Sequence, residues 1–230
     1  MLRLEQLRIG LGGFDLTADF AVQAGARVAV IGPSGAGKSS LLNAIAGFIP
    51  LVGGRVLLDG SDITTLPPDA RSITMLFQDG NLFPHLTLAQ NVGLGLRPTL
   101  RLDDQERSDV TGALARVGLD GLADRKPATV SGGQASRAAL ARVLVQNRPL
   151  LLLDEPFAAL GPALRAEMLA LVAELLDETR ATLMMVTHAP EDARRIADQI
   201  VFVDAGIAHP PAATEALFAD PPPQLKVYLG

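Results

Sequence analysis

The stretch Gly32-Pro33-Ser34-Gly35-Ala36-Gly37-Lys38-Ser39 fills every fixed position of the phosphate-cradling pattern G-x-x-x-x-G-K-[ST]. With 22 Gly in 230 residues and only three Lys beside 17 Arg, chance supplies such a match about two or three times per thousand chains of this composition. The choice of Lys in an arginine-rich chain is itself informative. An ammonium acts as a compact point charge, whereas a guanidinium's wide planar fork fits a tight loop badly. Backbone N–H groups of such a turn, and of the helix it opens, converge on phosphate oxygens at the positive end of the helix dipole. Lys38 adds charge, and the Ser39 hydroxyl is suited to Mg²⁺. The chemistry implied is binding of a nucleoside triphosphate.

A second chemical cluster ends the apolar run Leu150-Leu151-Leu152-Leu153, which is followed by Asp154-Glu155-Pro156. Two acids after a strand are ordinarily a solvated strand end. Beside a phosphate loop they gain work: Asp154 to hold Mg²⁺, and Glu155 to polarise water for in-line attack on a γ-phosphate. Ser131-Gly132-Gly133-Gln134 precedes a helical run. In isolation its serine would be an N-cap and its glycines turn residues.

The elements that must position these groups follow from periodicity. Val28 to Ile31 reads as a strand before the phosphate loop, and Ser39 to Ala46 as the helix after it. The first 25 residues alternate loosely and read as strands; Arg55 to Leu58 and Ile73 to Phe77 are further strand candidates. From about residue 84 to 147 the character is helical, with a short helix between Pro84 and Pro98, one over Asp103 to Val117, and one over Gly133 to Gln146. Then alternation returns: a fully apolar strand at 150–153, a helix from Pro162, a strand at 183–186, a helix from Pro190 to Ala197, and a strand at 200–203. A short helix over Thr214 to Phe218 lies in a proline-rich tail containing Pro221-Pro222-Pro223. Strand–helix alternation around a helical insertion is α/β.

Composition narrows the function classes. Hydrophobic content of 48% excludes disorder, and no apolar run approaches the roughly 20 residues that span a bilayer. Met1 to Glu5 does not open a signal peptide, so a soluble, uncleaved chain is expected. The absence of Cys excludes disulfides, thiolate zinc and thiol catalysis. A net charge of −5 with dispersed Arg argues against nucleic acid as a partner.

Taken in order and spacing, these motifs resemble the ATP-binding cassette (ABC) ATPases over almost the whole chain. The resemblance implies a P-loop NTPase core with a parallel sheet, N-terminal antiparallel strands and an inserted helical subdomain. A single domain spans 1–230, with 1–83 and 148–230 forming the core and 84–147 the helical subdomain. It also implies ATP and Mg²⁺ as the bound species. Gly32, Pro33, Ser34, Gly35, Ala36, Gly37, Lys38, Ser39 and Ser40 would bind ATP; Ser39, Gln78 and Asp154 the metal; Glu155, His188, Gln78 and Lys38 would serve catalysis. Gln78 matches the glutamine that senses the transmembrane partner, and His188 the switch histidine that contacts the γ-phosphate. Ser131, Gly132, Gly133 and Gln134 match the signature that closes on nucleotide held by a second copy.

Closer still, Leu66-Pro67-Pro68, Ile73 to Gln78, Asn81 to Thr87 and Gln90 to Leu96 resemble the ATP-binding subunits of bacterial thiamine importers. That implies a homodimer working with transmembrane permease subunits and, indirectly, a periplasmic solute-binding protein, at the cytoplasmic face of the inner membrane. The solute would be thiamine or its phosphates; iron, polyamine or sulfate are the alternatives, as is a soluble non-transport ABC ATPase. Three departures from the family pattern stand out. Leu11 occupies the place of an adenine-stacking aromatic, so either Phe14 substitutes for it or adenine stacking is weakened. Gly161 replaces an aspartate after Ala158-Ala159-Leu160, predicting looser coupling between sites. Ala135 replaces a basic residue after the signature.

Overall fold

The computed structural model describes residues 1–78 and 80–229, Leu11 and Leu229 by backbone alone. Contacts divide the chain into two units. The first comprises Met1–Ile73, Pro149–Glu155 and residues 180 onward; the second comprises Thr74–Arg148 and Pro156–Thr179.

In the first unit, strand β1 (Leu2–Leu11) pairs antiparallel with β2 (Phe14–Val22) and, on its other edge, with β4 (Gly53–Leu58), which carries β5 (Ser61–Asp62). Along β2 the side chains of Leu16, Ala18, Phe20 and Val22 are buried and their neighbours are not. That period-two pattern is the mark of a sheet with one covered face. Strand β3 (Arg27–Ile31) behaves differently. It lies parallel between β8 (Thr182–Val186) and β9 (Gln199–Asp204), and β7 (Leu150–Asp154) lies parallel outside β8. Every residue of β7 and β8 is buried, as uninterrupted apolar runs require when helices cover both faces. A two-residue strand, β10 (Ile207–Ala208), joins the layers by pairing parallel with β2 and antiparallel with β9; β11 (Ala212–Ala213) pairs with β9 as well.

Helix α1 (Lys38–Ala46) follows β3 directly, so the turn between them sits at the carboxyl end of a buried parallel strand, where ligands bind in such sheets. Helices α6 (Pro190–Ile196), α7 (Thr214–Ala219) and α8 (Pro223–Leu229) complete this unit. The last was not foreseen: Pro223 opens a helix, as proline at a first turn can, where the run of prolines reads as loop.

The second unit contains most of β6 (Ile73–Leu76) and helices α2 (Leu88–Gly93), α3 (Asp104–Arg116), α4 (Gly132–Gln146) and α5 (Pro162–Thr179). Leu88, Val92, Val110, Leu114, Leu119 and Ala138 form its core. Helices α2, α3 and α4 each begin with a reciprocal capping box: Thr87 with Gln90, Asp103 with Glu106, Ser131 with Gln134. Each cap is worth about 1 kcal/mol and fixes where its helix starts. Buried Asn91 holds the preceding loop. Its Oδ1 accepts the Phe83 N–H at 2.7 Å, and its Nδ2 donates to the Phe83 and Thr87 carbonyls at 3.1 and 2.9 Å.

Candidate active site

The phosphate loop is shaped by its glycines. Gly32 has φ of 151°, and a Cβ there would stand 2.0 Å from the Val203 carbonyl oxygen; Gly37 has φ of 97°, with Phe14 Cζ 2.7 Å from where its Cβ would be. A side chain at either position would displace backbone or ring, so the loop's course depends on both. At Gly35 the Cβ direction is open within 4 Å, so backbone lies bare on that side. The loop opens α1 without a side-chain cap, unlike the boxed α2, α3 and α4, and without an acidic residue in the first turn. Its first N–H groups are thus left for an external acceptor, and a phosphate is the acceptor that suits them.

Lys38 is buried, with Nζ donating to the Gly32 and Pro33 carbonyls at 2.9 and 2.8 Å. Burial pulls its pKa below the ordinary lysine range, and the Glu155 and Asp154 charges oppose that. Ser39 Oγ donates to Asp154 Oδ1 at 2.8 Å. Burial pushes the Asp154 carboxyl up, against the hydrogen bond from Ser39; the neighbouring Glu155 raises it further, and Lys38 and His188 lower it. A buried carboxylate with a raised pKa favours a cation close by. Ser39 Oγ and Asp154 Oδ1 form a hard-oxygen pair that fits Mg²⁺, an ion that keeps several waters and shares substrate phosphates. Among the described residues no group of three His, Cys, Asp or Glu could hold a metal by themselves.

Glu155 departs from ordinary backbone geometry, with φ of 47°. Left-handed conformation in a non-glycine residue costs about 1–2 kcal/mol, and such strain concentrates where function requires it. The turn is held by Glu155 N–H donating to the Val186 carbonyl at 3.2 Å. It brings Oε1 to 2.6 Å from Nε2 of His188, whose side chain is 44% exposed against 17% for Glu155. The His188 turn is braced by Thr187, whose N–H donates to the Val30 carbonyl at 3.3 Å and whose Oγ1 accepts the Ala189 N–H at 3.1 Å. Lys38, Ser39, Asp154, Glu155 and His188 therefore come together at the ends of β3, β7 and β8. Phe14 is half-buried and packs on the loop at Gly37; the side chain of Leu11 lies outside the described residues.

The other expected site residues lie in the second unit. Gln78 is exposed in the turn after β6 and, with Gly132 and Ser136, lines a cavity of about 450 Å³. Ser131 is an N-cap: its Oγ accepts the Gln134 N–H at 3.2 Å, and Gln134 Oε1 accepts the Ser131 N–H at 2.9 Å. Capping uses only the acceptor side of the hydroxyl and leaves its proton to donate. Gly133 has a packing role, since a Cβ there would meet Leu164 Cδ2 at 2.5 Å; Gly132 meets nothing within 4 Å. Gly161 precedes α5, its carbonyl accepting the Arg165 N–H at 2.9 Å, and a Cβ there also meets nothing.

Three residues that support the site carry no motif. Arg71 donates to the Ala44 and Ile45 carbonyls in the last turn of α1 and to those of Leu66 and Thr64. Arg142 donates to the Gly80 and Asn81 carbonyls at 2.7 and 2.9 Å, fixing the turn beyond Gln78. Tyr228 reaches the His188 carbonyl from α8. An Arg or Tyr is unremarkable in sequence, and only the tertiary structure reveals which carbonyls it serves.

Residues 17–158 match the family model described as ABC transporter. The chain is 61% identical over 230 residues, the whole of both chains, to the thiamine import ATP-binding protein ThiQ of Ruegeria sp. (strain TM1040). It is 59% identical, again over both full lengths, to the protein of that name from Cereibacter sphaeroides. Among solved structures it is similar to a dimeric post-hydrolysis ATP-binding cassette bound to ADP and Pi, with TM-score 0.81, 29% identity, and coverage of 93% of this chain and 99% of that one. A second dimeric bacterial ABC transporter cassette matches with TM-score 0.80 at the same identity and coverage.

Proposed function

This chain belongs to the ABC transporter family, and from that premise we propose that it is the ATP-hydrolysing subunit of an importer for thiamine or its phosphates. The solute rests on the 61% identity, over the full length of both chains, to a protein named for thiamine import. The observation that carries the hydrolytic reading is the convergence of Ser39 on Asp154 and His188 on Glu155 beside the buried Lys38.

The chain's groups divide the work. Uncapped N–H groups at the start of α1, with Lys38, hold the triphosphate. Ser39 and Asp154 would hold Mg²⁺, which would offset negative charge on the phosphates. Glu155 orients a water and takes its proton as the water oxygen bonds to the γ-phosphorus and the bond to the β-bridging oxygen breaks, giving ADP and phosphate. His188 keeps the carboxylate aimed and contacts the γ-phosphate. Phe14 offers the adenine a ring, and Ser34 to Ser40 complete the wrapping of the phosphates.

In a head-to-tail pair the Ser131 hydroxyl proton and the Gly132 N–H of one copy face nucleotide on the other. The dimeric cassettes among the structural relatives support that arrangement. No helix among the described residues is long and apolar enough to cross a membrane. As an importer's ATPase the chain would work with permease subunits, docked peripherally at the cytoplasmic face of the inner membrane.

Uptake of labelled thiamine, iron, polyamine and sulfate by a strain lacking this chain tests the reading. Wild-type protein is expected to restore thiamine uptake alone, and Glu155→Gln to restore none. Thiamine uptake that is unchanged by the deletion would overturn the solute assignment.

A further inference from the structure

The described chain ends in α8, and that helix is fastened to the catalytic turn. Leu225 is completely buried and anchors α8 in the first unit. Three residues on, Tyr228 donates its phenolic Oη–H to the backbone carbonyl of His188 at 3.2 Å. Thr187 braces one side of the His188 turn through Ala189 N–H, and Tyr228 braces the other. The turn's side chain, in its turn, reaches Glu155 at 2.6 Å. The phenol also lies within the field of that carboxylate: burial first, then the Glu155 charge, holds the Tyr228 pKa above its ordinary value. A neutral phenol is therefore kept as a donor.

From this geometry we propose that Tyr228 is a positioning residue for hydrolysis, holding the His188 backbone so that the imidazole stays on Glu155. The proposal rests on the hydrolytic reading above. Displacement of a positioned group by as little as an ångström is costly to a reaction that depends on alignment, although Tyr228 itself touches no reacting atom.

Tyr228→Phe removes the donor and keeps the ring. Its steady-state kcat for ATP is expected to fall about three- to tenfold, with KM for ATP within about twofold of wild type. If Tyr228 acts through His188, the same substitution in a His188→Ala background should change the single-turnover rate by less than about twofold. Equal losses in both backgrounds, an unchanged kcat, or a loss carried by KM would overturn the proposal. A wild-type protein with no ATP turnover would instead sink the hydrolytic reading beneath it.

The chain has a single Tyr, so growth on 3-fluorotyrosine labels this position alone and leaves every other side chain native. The ¹⁹F resonance is expected to shift on ATP binding and on His188→Ala. A resonance indifferent to both would refute the contact, whatever the variants' stability.

Discussion

Replacing Arg71 by Met should destabilise the protein strongly, although this residue is remote from the reacting groups. The guanidinium is 3% exposed and donates to four carbonyls, those of Leu66 at 2.9 Å, Ala44 at 3.1 Å, Ile45 at 2.6 Å and Thr64 at 2.9 Å. Two of these belong to the last turn of α1, where carbonyls lack helical partners and the dipole favours a cation. Ala44 retains a second donor in Gly47 N–H at 3.1 Å. Three carbonyls therefore lose a charged donor, at about 1–3 kcal/mol each. Against that stands the cost of burying the cation, visible in the lowered Arg71 pKa, which Met does not incur.

The net expectation is a loss of about 3–4 kcal/mol, or about 10 °C in melting temperature for a chain of this size. Urea unfolding of wild type and variant measures it. Arg71→Lys should recover little, because an ammonium cannot reach carbonyls on both sides of a planar fork. Because α1 carries Lys38 and Ser39, KM for ATP should rise in both variants. A Met variant within about 1 kcal/mol of wild type, or a Lys variant equal to it, would refute the reasoning.

Other substitutions test the site itself. Burial raises the Asp154 carboxyl, so the folded state binds that proton more tightly than the unfolded chain does. Its stabilising contribution is full below the ordinary carboxylate range and is lost as pH rises through the raised folded value. Asp154→Asn should therefore flatten the decline of nucleotide-free stability with pH in thermal melts and raise the melting temperature at neutral pH, while stopping turnover; superimposable pH profiles would count against this. Gly161→Asp finds open space at the start of α5, where an aspartate caps better than glycine by about 0.3–0.5 kcal/mol. It should also tighten coupling between sites, read as a higher Hill coefficient for ATP turnover; identical coefficients and rates would remove the coupling argument.

Much of the architecture was legible in the chain because its signals are local. Leu150 to Leu153 and Leu183 to Val186 are unbroken apolar runs, and both are fully buried strands of the parallel sheet. The helices at 104–116, 132–146 and 162–179 begin at capping or proline residues a few positions from where periodicity places them. What was not legible depends on distant partners. Strands β10 and β11 have two residues each, too few for any alternation, and exist because β9 offers them an edge. Helix α8 is hidden behind three prolines that read as a breaker, yet the third is its first residue. Within the site, the types and order of Lys38, Asp154, Glu155 and His188 were evident, but not the left-handed backbone of Glu155 that aims it at His188. Arg71 and Tyr228 show why: each serves carbonyls, which every residue possesses and no pattern marks.

We propose that ATP is held at a site shared by two copies of this chain and hydrolysed through Glu155. Size-exclusion chromatography of Glu155→Gln with Mg²⁺ and either ATP or ADP tests it most directly. The variant should elute as a dimer, twice the 24.1 kDa chain mass, with ATP and as a monomer with ADP. Elution as a monomer under both conditions, with ATP bound, would contradict it.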